Sequence, residues 1–232
     1  MKVNPLRFTV RPAQSWDDLL AAGEVRARSY GHHLANVHSI SREPDEIDRR
    51  PDTVVLLARD KQSREAVGTL RIATNKFAPL QIQSSVELPP TIASVPLVEA
   101  TRFCVTPGCK DPLVKLALMK ALYLYCVAGQ IQWMVIGARS ESLARQYLRL
   151  GFTDLFDLPL NVPLAYAGGL EHRVLVFNVT SAERNWHALS HPYYDFIVRS
   201  YHSDIEIFTS IDRREVRVDQ VLGDGTAQVA VG

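Results

Sequence analysis

Residues 97–138 restrict the fold more tightly than any other stretch of the chain. Leu97-Val98-Glu99-Ala100-Thr101-Arg102-Phe103-Cys104-Val105 reads as a strand, 112–128 as a strongly apolar helix, and Trp133-Met134-Val135-Ile136-Gly137-Ala138 as a second strand. Pro112 suits the first residue of that helix and Gly129 its end: proline lacks an amide that a first turn leaves unused, and glycine tolerates the terminating conformation. Two strands joined through one helix lie parallel, and such crossovers are right-handed in nearly all proteins. A further helix, 140–150, closes on Gly151-Phe152. The chain therefore builds a sheet with a parallel unit near its middle.

The segments before this unit read differently. Residues 7–11 alternate and predict a first strand, and Ser15 caps a helix whose apolar positions Trp16, Leu19, Leu20, Gly23, Ala27, Tyr30 and Leu34 keep a helical period. Arg26 lies at the edge of that stripe, where it would point into a cleft. Residues 53–59 are apolar on both faces, as in a central strand, and pair with 66–74 in a hairpin. The span 75–96 holds four prolines and reads as a long connection of the kind that tends to carry function. A strand at 172–179 and helices near 181–189 and 192–201 complete an α/β (α+β) order around a central mixed, twisted sheet flanked by helices. Residues 1–208 read as one domain, with 209–232 as a loosely ordered tail.

Composition excludes several classes of function. The formal net charge is +1, which gives no overall electrostatic footprint for nucleic acid. Three cysteines without a CxxC pair argue against a disulfide scaffold or zinc ribbon and suit a reducing cytoplasm. The longest apolar run, 113–128, is interrupted by Lys115 and Lys120 and falls short of the roughly 20 residues that span a bilayer. The histidines, His32-His33 included, show no metal-ligand spacing, so no metal is expected.

Three stretches together carry a family resemblance. Tyr147-Leu148-Arg149-Leu150-Gly151-Phe152 resembles the "Y-x-x-L-G-F" ending of GNAT-type N-acyltransferases. Glu99-Ala100-Thr101-Arg102-Phe103 is similar to the "E-x-x-R-F" strand of acyl-homoserine-lactone (autoinducer) synthases and long-chain N-acyl amino acid synthases. Upstream, Arg26 and Tyr30, then Glu43, Asp45 and Asp48, then Gly68-Thr69-Leu70-Arg71 look like the arginine, aromatic, acidic and "R-L" positions of the same families, in the same order. The resemblance covers residues 15–180. It leans toward the N-acyltyrosine synthase type, since 191–196 and 201–205 also look like that type's C-terminal segment.

The resemblance implies a GNAT-like N-acyltransferase. It would move a fatty acyl group from acyl carrier protein to the amino group of an amino acid. An acetyl-coenzyme A user of this fold carries a glycine-rich loop around the cofactor's pyrophosphate. Here Thr106-Pro107-Gly108-Cys109-Lys110-Asp111-Pro112 offers one glycine and no comparable cradle of amides. The implied donor is thus a phosphopantetheine thioester on a carrier protein, with acyl-coenzyme A as the second option. The homoserine-lactone synthases' tryptophan after the first helix is absent, with His33 and Leu34 near its place, which speaks against S-adenosylmethionine as acceptor. Two rival readings stand beside this one: an acyl-homoserine-lactone synthase, and a non-catalytic module that binds acyl chains or the carrier protein.

Acyl transfer to an amine requires a base, an oxyanion donor and alignment of both reactants. Glu99 is the candidate base, and backbone amides from Phe103 through Cys104 to Val105 would serve the oxyanion. Glu99 and Arg102, three apart on a regular strand, point to opposite faces, so a bulge between them is expected if they share one cleft. Taken alone, the two would read as an ion pair on a sheet edge. Arg26, Arg71 and Arg102 would bind an acceptor carboxylate, with Tyr30, Thr101 and Val105 beside them. Asp48 either caps a turn or orders Arg26 or Arg71. Cys104 flanks the centre without an evident base partner and reads as a small buried residue. Lys110 and Lys115 stand at a helix N-terminus, where they would meet carrier-protein phosphate or simply be solvated. The helix 112–128 and its neighbouring strands would line the acyl tunnel.

Overall fold

The structure is a computed structural model that describes residues 5–31 and 42–207. Its elements in order are β1 (Phe8–Pro12), α1 (Trp16–Gly31), β2 (Thr53–Asp60), β3 (Ala66–Thr74), α2 (Pro90–Ala93), β4 (Leu97–Val105), α3 (Leu113–Ala128) and β5 (Trp133–Ala138). They continue with α4 (Glu141–Arg149), β6 (Thr153–Asp154), β7 (Asn161–Leu164), β8 (Leu170–Asn178) and α5 (Val179–Ala188). One sheet runs β1-β2-β3-β4-β5-β8-β6, with β7 also on β8. Strands β1 to β4 pair antiparallel, and β4 lies parallel to β5. The tail expected from 209 onward, with His33 and Leu34, lies outside the described residues.

Two layers cover the sheet. Leu56, Leu70, Ile72, Val98, Ala100, Met134 and Ile136 meet α3, α4 and α5 on one face. Nine of the sixteen residues of α3 are buried, as expected of a helix apolar on nearly every side. On the other face α1 lies over β2, β3 and β4, while Ala73, Leu97, Val135 and Val176 pack against the 80–92 connection. Trp16, expected in the apolar stripe of α1, is half exposed; that helix buries Ala22, Gly23, Val25 and Arg26 instead. Its exposed first turn carries Asp17 and Asp18, charges that suit a helix N-terminus.

Two local features shape the region between β4 and β5. First, Thr69 pairs with Cys104 but Arg71 with Thr101, so Arg102 and Phe103 together oppose Leu70. This is the expected bulge, and Arg102 takes its left-handed position at φ 54°. Second, the parallel pairing of β4 and β5 ends at Ala100 and Ile136, although both strands continue. The sheet therefore splits from residue 101 onward. Thr106 N–H donates to the Val67 carbonyl at 2.9 Å, so the Val105 amide, one residue earlier, points away from β3 into the split.

Candidate functional site

A chain of buried charges runs from α1 to the bulge. Arg26 Nη1 and Nη2 donate to Asp48 Oδ2 and Oδ1 at 2.5 and 2.9 Å, a two-bond fork between nearly inaccessible groups. Arg71 spends its donors on five acceptors: Nε on Thr101 Oγ1 (2.8 Å), Nη1 on both Asp45 oxygens (2.7 Å each) and on Asp48 Oδ1 (3.5 Å), and Nη2 on Gln81 Oε1 (2.8 Å). Asp45 and Asp48 hold each other's amides, Asp48 N–H on Asp45 Oδ1 at 2.9 Å and Asp45 N–H on Asp48 Oδ2 at 3.2 Å. Gly23 makes this approach possible, because a Cβ there would stand 1.8 Å from the Arg42 carbonyl oxygen. Burial works to raise the Asp45 carboxyl, but the Arg71 charge and the bonds from Asp48 and Arg71 outweigh it and hold the group below its ordinary range.

Arg102 is placed differently from the other two arginines. Its side chain keeps 28% exposure, its nearest anion is Asp45 Oδ2 at 3.6 Å, and it hydrogen-bonds the Tyr30 side chain. Arg26 and Arg71 are thus committed to two aspartates, and Arg102 alone of the three keeps a face toward the split. Burial pushes the Tyr30 phenol up to about 12 and the Cys104 thiol up to about 11. Cys104 is therefore a protonated, packed side chain at neutral pH, as its lack of a base partner indicates.

Glu99 sits one residue before the β4–β5 pairing ends. It is 1% exposed, its Oε2 accepts from the Ile82 amide at 3.2 Å, and its Oε1 has no hydrogen-bond partner among the described residues. Burial raises its carboxyl above the ordinary range, with the Ile82 amide and the Tyr166 hydroxyl acting in the other direction. Tyr166, on the 3₁₀ turn Ala165–Ala167, and Gln81 and Ile82, on the 3₁₀ turn Gln81–Ser84, belong to the site but carry no motif in the sequence.

The opposite wall of the split comes from α3 and α4. Phe103 turns to the α3 side and stacks near Tyr147 with ring centres 6.2 Å apart. Lys115 Nζ lies 5.5 Å from the Phe103 ring centre and 6.0 Å from that of Tyr147, and donates to Gln146 Oε1 at 2.5 Å. It is thus a half-buried bridge between α3 and α4, not a solvated lysine; Lys110 is the exposed one. In the 106–112 loop the Cys109 amide donates to Thr106 O at 3.0 Å, and Asp111 accepts the first amides of α3, Leu113 on its Oδ1 and Val114 on its O, at 2.9 and 3.3 Å. Pro112 caps α3 from one position before its first residue. Among the described residues no cluster of His, Cys, Asp or Glu could hold a metal ion, and no helix is long and apolar enough to cross a membrane.

Apart from Lys110, which stands exposed on the 106–112 loop, the expected site residues fall into three groups. Arg26, Asp48, Arg71 and Thr101 form the buried frame. Glu99, Arg102, Tyr30, Cys104 and Val105 surround the opening of the sheet, and Phe103 and Lys115 lie across it.

Comparison with known proteins adds a family to this geometry. Among solved structures, FeeM, an N-acyl amino acid synthase from uncultured soil microbes, aligns with a TM-score of 0.60 at 14% identity, over 82% of this chain and 98% of that one. BjaI, a CoA-dependent acyl-homoserine lactone synthase, aligns at 0.52 and 17% identity over 90% and 99%. A putative N-acetyltransferase from Lactobacillus plantarum aligns at 0.52 and 12% identity over 75% and 99%. These likenesses show a shared GNAT-like fold. No curated protein matches the chain by sequence. The family model of the N-acyl amino acid synthase FeeM matches residues 21–164, which hold the buried frame, the bulge and both walls of the split. The chain therefore belongs to the FeeM N-acyl amino acid synthase family, whose chemistry is N-acyl transfer.

Proposed function

We propose that this N-acyltransferase moves a long-chain fatty acyl group from acyl carrier protein to the α-amino group of a free amino acid. The observation that carries the reading is the presence at one opening of Glu99, a buried carboxyl with one oxygen unpartnered, and Arg102, which keeps 28% exposure while Arg26 and Arg71 are buried on their aspartates and whose own aspartate contact is a long 3.6 Å. A zwitterionic amino acid matches that pair: its ammonium meets Glu99 and its carboxylate meets Arg102. An α-ammonium group has a pKa of about 8, and a carboxylate with a raised pKa accepts its proton more readily than an ordinary one. The freed nitrogen attacks the thioester carbon, the oxyanion forms against the Val105 amide, the bonded nitrogen gives its second proton to Glu99 once the first has passed to solvent, and the C–S bond breaks to release a pantetheine thiolate. Tyr30 and Asp45 hold Arg102 in place for the carboxylate.

The 106–112 loop favours a carrier-protein donor. The Cys109 amide is bonded within the loop, and Asp111 takes the first two amides of α3, so its carboxylate occupies the helix start where a pyrophosphate would otherwise sit. The test is mass spectrometry of lipid extracts from bacteria expressing the protein, beside a Glu99→Gln control. New N-acyl amino acids are expected only with the unsubstituted protein. An acyl-homoserine lactone formed from S-adenosylmethionine would overturn the acceptor assignment. No product even with purified acyl carrier protein supplied would overturn the donor and the activity together.

A further inference from the structure

The base and the oxyanion donor account for two of the charges that move during acyl transfer; the third is the thiolate that leaves. We propose that Lys115 is the general acid of the reaction, donating a proton from its ammonium group to the departing pantetheine sulfur. This role rests on the acyl-transfer reading above and goes beyond it by naming the group that completes the proton balance. The ammonium gives its first proton to Glu99, which passes it to solvent; the nitrogen–carbon bond forms, the bonded nitrogen gives its second proton to Glu99, the carbon–sulfur bond breaks, and the sulfur keeps that electron pair and takes a proton from Lys115 Nζ. Solvent returns a proton to Lys115, whose side chain is only half-buried.

Geometry selects this lysine. α3 follows β4 and α4 follows β5, so the Lys115–Gln146 bond ties together the two helices that leave the split strands. The ammonium lies over the edges of Phe103 and Tyr147, one residue from Cys104 and two from Val105 in the strand that supplies the oxyanion amide. No carboxylate pairs with it among the described residues, so its charge is not already neutralised.

Electrostatics distinguishes it from its neighbours. Four groups able to give up a proton face this gap: Lys115, Tyr30, Cys104 and Tyr147. Burial drives Tyr30 to about 12 and Cys104 to about 11, and drives Tyr147 well above the usual phenol range. The same burial lowers Lys115, because it penalises the charged form of a base. Lys115 is thereby the strongest acid of the four and the best matched to a departing alkyl thiolate.

The experiment compares two acyl donors on the purified protein, with the twenty proteinogenic amino acids supplied together as acceptors. One donor is dodecanoyl-pantetheine thioester, whose alkyl thiolate needs a proton. The other is the dodecanoyl ester of 4-nitrothiophenol, whose aryl thiolate leaves without one. Lys115→Met should slow transfer from the pantetheine donor on the order of 100-fold, the range of general acid catalysis, and transfer from the aryl donor by less than about threefold. Lys115→Arg, which keeps the charge but holds its proton permanently, should be as slow as Lys115→Met. Equal losses on both donors, or full activity in Lys115→Arg, would overturn the assignment in favour of a packing or purely electrostatic role. If the unsubstituted protein gives no N-acyl product from either donor or from dodecanoyl-acyl carrier protein, the acyl-transfer reading itself fails and takes this role with it; product from the carrier protein alone moves the Lys115→Met and Lys115→Arg comparison to that donor, where full activity of either variant overturns the role. Thermal melting of both variants separates either result from misfolding.

Discussion

Arg102 holds φ at 54°, a region in which an L-residue's Cβ crowds the following carbonyl at a cost of about 1–2 kcal/mol. Glycine would relieve that strain, yet arginine stands there, so the cost is borne for its side chain. Arg102→Gly should be about 1 kcal/mol more stable than Arg102→Ala in urea denaturation, while both lose acceptor binding alike and raise KM for the amino acid more than for the acyl donor. Equal stabilities would show that the bulge relaxes without cost. Glu99 makes the same trade electrostatically. Its carboxyl is raised on folding, so the stability it contributes is present below the unfolded value of 4.5 and is lost as pH rises through the higher folded value. Glu99→Gln keeps an acceptor for the Ile82 amide and removes the buried charge. It should therefore melt higher than the unsubstituted protein at pH 7, with the gap closing below pH 4.5, while acyl transfer falls roughly 100-fold or more. A melting gap that does not change with pH would refute the raised carboxyl.

At the scale of elements, the frame beneath the site joins Arg26 of α1 and Arg71 of β3 to Asp48 and its neighbour Asp45, both on the segment between α1 and β2. Asp48→Ala would leave the Arg26 guanidinium buried without its counter-ion, which costs about 3–5 kcal/mol. The double variant Arg26→Met/Asp48→Leu should recover most of that loss, because it removes both charges from the interior. Urea midpoints at unchanged slope measure both changes, and a double variant no better than Asp48→Ala would mean that the pair holds the turn by its hydrogen bonds instead. Much of this level was legible in the sequence. β3, β4 and β5 carry long apolar runs bounded by turn residues, and their ends fall where pattern alone sets them. The three-residue spacing of Glu99 and Arg102 left open a bulge or two separate faces, and the family resemblance tipped it toward the bulge. β6 and β7 were not legible: they have two and four residues, and Pro163 in β7 masks any alternation. Arg26 and Arg71 were visible as site residues, but their commitment to Asp48 and Asp45 depends on the close approach permitted by Gly23, which no spacing encodes. Tyr166 and Ile82 reach Glu99 only because the 80–92 connection and the β7 turn pack on the same face.

Across the whole molecule, the last described segment is fastened back onto the first strand. Val10 N–H donates to Asp204 O at 2.8 Å, Glu206 N–H to Val10 O at 2.9 Å, and Leu6 N–H to Asp204 Oδ2 at 2.8 Å. Lys61 pairs with Asp204 as well, at 2.7 Å. The fastening is set from inside by Lys120, a buried lysine on α3 whose ammonium donates to the carbonyls of Phe196 (2.7 Å) and Ser200 and lies 5.5 Å from the Phe196 ring centre. One carbonyl lies in the π-helical turn Asp195–Arg199 and the other just after it, so the lysine satisfies backbone acceptors that this irregular turn leaves open. Lys120→Met preserves length and apolar contact with α3 but removes the donors, leaving both carbonyls unbonded at about 1–3 kcal/mol each. The loss should be confined to this fastening. Hydrogen exchange should quicken at Val10, Ile205 and Glu206, while amides of β4 and β5 keep their protection, because the split that forms the site is built on the far side of β2 and β3. Faster exchange throughout the sheet would instead show that the C-terminal segment and the site form one cooperative unit, with Lys120 holding both.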